Sequence, residues 1–265
     1  MRYAITLNYD GSAFFGWQIQ PDAQSVQETV EKALSTLLKT EISIVGAGRT
    51  DTGVNAIGYV AHFDCDAVGH PLLEDPGQLV FKLNAILPGE ISVSSVAPAD
   101  NDFHARFSAA RREYRYFIHR GKDPFAGRYS WLCGYPGLDF AKMNEAAALL
   151  KGTHDFSCFE KTGADNRSSV CTVFDAFWRQ YTPEICTPEG EYWYFCISAD
   201  RFLRNMVRAV VGTLIEVGRG KRSVANFASL ILPPSEEKTA GGKSVRSLAG
   251  ESVPGNALFL TEIRY

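Results

Sequence analysis

The sequence predicts an α+β protein made of two similar α/β halves that share a mainly antiparallel central sheet flanked by helices. Three observations carry this expectation. The order strand, helix, strand, strand, helix is legible twice along the 265 residues. A chain of that length with 45% hydrophobic residues can bury a sizeable core. No low-complexity linker separates the two runs, and only 182–190 and 233–242 have the composition of long surface loops, so one continuous core is expected. The halves are placed at 1–105 and 106–265.

The first half opens with an alternating strand over 2–9. Ser25-Val-Gln-Glu28 is a capping-box signature for a helix whose apolar positions Val26, Val30, Ala33, Leu34, Leu37 and Leu38 recur at helical spacing. Strands follow at 41–45 and 59–63, then a helix between Pro76 and Pro88 carrying Leu79, Val80, Leu83 and Leu87. The second half opens with a strand at 113–119. A helix then runs from its N-cap Asp139 to Lys151, with Gly152 at its C-terminal cap. Strands at 173–181 and 192–198 precede a long helix over 202–217, stopped by Gly218.

Composition excludes several function classes. No apolar run approaches the ~20 residues that span a bilayer, and the N-terminus alternates like a strand where a secretory signal would be continuously apolar. A cytoplasmic protein without membrane partners is expected. Cys65, Cys133, Cys158, Cys171, Cys186 and Cys196 form no C-x-x-C pair, and the five histidines have no ligand spacing. Reduced, structural thiols and no metal follow.

The net charge of −3 conceals an uneven distribution. Arg106, Arg111, Arg112, Arg115, Arg120, Lys122 and Arg128 face only Glu113 and Asp123 within 104–128, and Arg201, Arg204, Arg208, Arg219, Lys221 and Arg222 face only Glu216 within 201–222. Arginine-rich windows suit bidentate phosphate contacts and base stacking; the other reading is two solvated faces. Arg201, Arg204 and Arg208 share a helical face that continues as Val211 and Ile215. Arg208 therefore sits where the helix turns inward and needs an acidic partner, or else its head snorkels into water.

The candidate for chemistry is Asp51, in Gly-Arg-Thr-Asp-Thr-Gly over 48–53. A carboxylate in a glycine-bracketed turn can be held ionised by a guanidinium such as Arg49, and small neighbours let a substrate approach the backbone. The alternative is an Asx-turn aspartate bonded to its own backbone. Two phosphate motifs fail. Gly46-Ala-Gly48-Arg-Thr-Asp51 has Asp51 where a dinucleotide fingerprint needs glycine, and Gly242-Lys-Ser244 has Glu237 where a P-loop needs its first glycine. No nucleotide cofactor is expected.

Six ordered motifs carry a resemblance. They are Tyr9-Asp-Gly-Ser-Ala-Phe-Phe-Gly-Trp-Gln18, the 48–53 hexapeptide, Phe103-His-Ala-Arg-Phe-Ser108, Arg112-Glu-Tyr-Arg-Tyr116, Asn205-Met-Val-Arg208 with the following Val-Gly-Thr-Leu, and Ala249-Gly-Glu-Ser-Val-Pro-Gly-Asn-Ala-Leu-Phe-Leu260. Together they resemble the motifs of the tRNA pseudouridine synthase A family over nearly the whole chain. The resemblance implies isomerisation of uridine to pseudouridine on the 3′ side of the tRNA anticodon arm, a homodimer, no cofactor, and a catalytic cleft between the halves. It implies Asp51 as the catalytic nucleophile and Arg49 as its neighbour in the loop. Tyr114 would stack on the target base, and Arg208 would pair with the aspartate. Arg111, Arg204, Phe15 and Leu258 join Tyr114 and Arg49 as substrate-binding residues. Asn55 stands where the family usually has histidine. A catalytically inactive tRNA-binding protein of the same fold is the alternative; a retaining glycosidase would need a second acid about 5–5.5 Å away, and no second acidic motif stands out.

Overall fold

The computed structural model describes residues 1–66, 69–163, 168–231 and 245–265. The P-loop-like triplet at 242–244 and the expected loop at 233–242 lie outside the described residues. The chain divides into two compact units, 1–111 with 259–265, and 112–258. The last seven residues thus return to the first unit, and the expected cut after 105 falls just before this division.

In the first unit β1 (Arg2–Tyr9) buries every second residue, as a half-covered strand should. It pairs antiparallel with both β3 (Asn55–Asp64) and β4 (Ile91–Ala99), and β2 (Ile44–Gly46) adds antiparallel to β3. The closing strand β10 (Leu258–Arg264) joins β3 in parallel, Phe259 opposite Asn55. Helix α1 (Val26–Leu38) starts where the capping signature places it, with Ser25 Oγ accepting from the Glu28 N–H at 3.2 Å. The short α2 (Pro71–Glu74) leads into α3 (Pro76–Ile86), which is clamped to β4 because the Asn84 side chain accepts from Val93 N–H at 2.7 Å and donates to Val93 O at 2.8 Å.

The second unit repeats this scheme. β5 (Arg111–His119) pairs antiparallel with β9 (Tyr192–Ala199), β9 with β8 (Val170–Tyr181), and β8 with β7 (Gly152–Asp155); β6 (Trp131–Leu132) lies parallel to β5. Helix α4 (Phe140–Ala148) is capped by Asp139, and its Asn144 clamps the backbone of Trp178 with bonds of 2.7 and 3.1 Å, the same device as Asn84. Helices α5 (Met206–Gly218) and α6 (Val224–Ala228) follow. Two α/β units, each with a mainly antiparallel sheet, are what the sequence predicts.

Several boundaries differ from expectation for tertiary reasons. Four strands, β4, β6, β7 and β10, lie where none is predicted. β4 is serine-rich with Pro98 near its end, so propensity is weak and pairing with β1 decides it. Helix α4 stops at Ala148, and Gly152 opens β7 with φ +107° instead of capping the helix. Helix α5 starts at Met206 because Asn205 holds a left-handed conformation, φ 64°, with its amide donating to Ser252 Oγ at 2.6 Å. Arg201 and Arg204 therefore precede the helix, and only Arg208 stands on it; the expected three-arginine face does not form.

Free cysteines at 65, 133, 158, 171 and 196 are buried, and burial pushes the Cys171 and Cys196 thiols up to about 12. Buried His62 and His119 have pKa values lowered by burial. A lowered histidine pKa means the unfolded chain binds more protons, so their contribution is present above the unfolded value of 6.5 and is lost as pH falls through it. The melting temperature is expected to fall as pH drops from about 7 to about 5, a trend flattened in the His62→Asn/His119→Asn double variant. A melting series in which the native protein shows no fall contradicts this.

Candidate functional site

The Asp51 loop is built on a buried aromatic trio. Tyr9, Trp17 and Tyr59 pack with ring centroids between 4.1 and 6.2 Å apart. The Tyr59 hydroxyl donates to Gly48 O, and the Tyr9 hydroxyl lies 2.9 Å from Thr50 Oγ1. The motif at 9–18 is laid against this loop: Trp17 N–H donates to Thr50 O at 3.2 Å, and Gly53 N–H to Phe14 O at 3.4 Å. Gly16 is needed at the crossing, since it adopts φ +93° and a Cβ there would stand 2.5 Å from the Thr50 carbonyl oxygen. Asp51 itself is half-buried, with its carbonyl accepting the Val54 N–H at 3.1 Å.

Arg49 departs from expectation. It is exposed and makes no ion pair with Asp51 among the described residues, because Thr50 is the residue the aromatic trio pulls inward and Arg49 is left on the solvent side. Asn55 is 1% exposed, and its Oδ1 accepts from Gly11 N–H at 2.8 Å. Its side chain braces the 9–18 motif and offers RNA no surface. Phe15 is 55% exposed at the end of that motif, available for stacking.

In the second unit the buried face of β5 presents Arg112, Tyr114, Tyr116 and Ile118. Tyr114 is 9% exposed and meets Phe202 edge to face, with centroids 5.0 Å apart and planes at 85°. Arg112 Nη1 donates to Asp200 O at 2.7 Å. Arg208 belongs to the same face: its charge reaches the buried Tyr116 hydroxyl and works against the rise that burial imposes there. Its Nε donates to Val253 O at 2.7 Å, and Val253 N–H returns a bond to Arg208 O at 3.3 Å.

The segment after residue 249 is thus a latch for Arg208, a role the sequence analysis does not assign. Gly250 N–H donates to Thr213 Oγ1 at 2.9 Å, and Gly212 lets the backbone of Glu251 approach so closely that a Cβ would stand 1.8 Å from its carbonyl oxygen. Gly212→Ala is expected to destabilise the protein by roughly 1–3 kcal/mol and to lower turnover beyond what the stability loss explains. Thermal melts beside initial rates test this; a variant active at the wild-type rate removes the latch from function.

The remaining expected contacts divide. Arg204 is exposed and Arg111 half-buried. Leu258 is 4% exposed, with its N–H bonded to Gly255 O, so it packs the unit and presents no substrate surface. Within the basic windows Arg115 pairs with Glu113 at 3.0 Å and Arg222 with Glu216 at 2.8 Å, so these two are neutralised internally. Among the described residues no group of three His, Cys, Asp or Glu side chains converges as a metal site, and no helix is long and apolar enough to cross a membrane.

A family model described as tRNA pseudouridine synthase matches residues 5–108 and 146–265. The chain is 48% identical over 265 residues to a tRNA pseudouridine synthase A of Bacteroides fragilis, covering 100% of this chain and 96% of that one. It is 38% identical over 269 residues to the Bacillus subtilis protein of the same name, covering 100% and 99%.

Proposed function

Since the chain belongs to the tRNA pseudouridine synthase family, we propose that it isomerises uridine to pseudouridine in tRNA, at the 3′ side of the anticodon arm, with Asp51 as the catalytic carboxylate. The observation that carries this reading is the Asp51 loop: a half-buried carboxylate in a turn clamped by Tyr9, Trp17 and Tyr59, with small residues on both sides. In the reaction the N1–C1′ bond breaks, the uracil turns over, C5 joins C1′, the C5 proton leaves, and N1 takes up a proton. Nothing is oxidised or reduced. A carboxylate can attack C1′, stabilise its cationic character, or remove the C2′ proton, and Asp51 is suited to each.

The target uridine must leave its stack, at a cost of a few kcal/mol, and an aromatic face offsets part of it. Tyr114 supplies that face, and its hydroxyl assists departure of the C5 proton. Arg208, held by Val253, completes the catalytic set. Arg49, exposed and without an ion pair among the described residues, fills the space the base vacates or holds a phosphate. Arg111, Arg204 and Phe15 contact the arm. The enzyme acts in the cytoplasm as a homodimer.

The test uses tRNA tritiated at uridine C5. Tritium release with stoichiometric pseudouridine, mapped to the anticodon arm and undiminished by excess chelator, is the expected result. Tight tRNA binding without release favours the inactive binding protein; release mapped elsewhere overturns the site of action.

A further inference from the structure

The second unit holds two arginines, Arg120 and Arg219, that make no ion pair among the described residues. Arg120 follows β5 directly. In the parallel ladder Ile118 lies opposite Trp131 and His119 opposite Leu132, and Cys133 N–H donates to His119 O at 2.9 Å, so Arg120 stands beside Cys133. Its Nε and Nη1 are buried and meet no hydrogen-bond acceptor among the described residues. Arg219 arrives from the C-terminal end of α5, and its guanidinium carbon lies 3.6 Å above the centre of the Tyr135 ring, two residues past Cys133. The buried Cys133 thiol registers both charges: burial raises it to about 11, and Arg120 and Arg219 each pull it back.

Four acids of this unit are engaged with other partners. Asp123 accepts from the Tyr192 hydroxyl and from Phe125 N–H, Asp139 caps α4 and pairs with Lys142, Glu191 accepts from Trp193 Nε1, and Glu216 pairs with Arg222. Two guanidiniums set against the one short segment from Cys133 to Tyr135 repel each other, and buried guanidinium N–H groups without acceptors are costly. An anion with several acceptor oxygens relieves both at once, and a guanidinium fixed on an aromatic ring is already oriented for a two-pronged contact.

We propose that Arg120 and Arg219, aligned by Cys133 and Tyr135, form a binding site for a backbone phosphate of the RNA substrate. The site uses none of the residues given catalytic roles above. It rests on the reading of the protein as a tRNA enzyme for its ligand's source, but its anion chemistry stands on these residues alone.

Inorganic phosphate and an anticodon stem-loop RNA are the two probes, with Arg120→Gln, Arg219→Gln and the double variant. Phosphate is expected to raise the melting temperature of the native protein and to lose this effect in the double variant. In phosphate-free buffer Arg120→Gln is expected to melt at or above the native temperature, since an unpaired charge is removed; a purely structural arginine would lower it. With RNA, each substitution is expected to reduce the slope of log affinity against log salt by about 0.7–0.9, and to raise KM while leaving kcat in the tritium assay unchanged. A phosphate response equal in all variants overturns the site. A phosphate response lost in the variants while the RNA salt slope is unchanged assigns the site to a free anion and overturns the backbone-phosphate source. The melting and salt measurements need no turnover, so they stand even if the isomerase reading fails.

Discussion

Asp51→Asn is expected to bind tRNA and melt like the native protein while turning over at least about 10³-fold more slowly. The isostere keeps the shape of the turn, in which Thr50 bonds Tyr9, Gly48 bonds Tyr59 and the Asp51 carbonyl accepts the Val54 N–H. It removes the negative charge and nucleophilicity that cleavage of the glycosidic bond needs. If Asp51 were only a turn aspartate, the variant would instead melt lower and keep its activity. Single-turnover rates and melts on one preparation separate these outcomes, and activity within tenfold of native removes Asp51 from the chemistry.

Tyr114 offers the second large effect, and its two halves can be tested apart. Tyr114→Phe keeps a ring that still meets Phe202 edge to face, so stacking and affinity should persist while the rate falls by about 10²–10⁴ if the hydroxyl moves a proton. Tyr114→Leu removes the platform as well, costing ~1–3 kcal/mol of base stacking, and loosens a position only 9% exposed. A residue serving the core alone predicts the reverse, with Phe harmless and Leu destabilising by roughly 1–3 kcal/mol. Wild-type turnover in the Phe variant takes the hydroxyl out of the mechanism.

What the sequence determined by itself is everything that depends on neighbours within a few residues. The starts of α1 and α4 are legible because Ser25 and Asp139 accept from N–H groups three residues ahead, and β1 is legible because its alternation matches its burial. The ordered motifs, and Asp51 among them, are equally local. What only the tertiary structure decided are contacts closed across long stretches of chain. Asn55 and Gly11 are 44 residues apart, and their bond makes the residue that stands in place of the family's usual histidine a brace. Asn205 and Ser252 are 47 apart, and their bond delays the start of α5 and strips two arginines from its face. Arg49 and Asp51 are nearly adjacent yet make no ion pair with each other among the described residues, because Thr50 between them is turned inward onto Tyr9 and leaves Arg49 on the solvent side. Local spacing fixes which groups can exist on a turn or face; their orientation is a property of the packed core, where each side chain takes the rotamer its distant neighbours leave open.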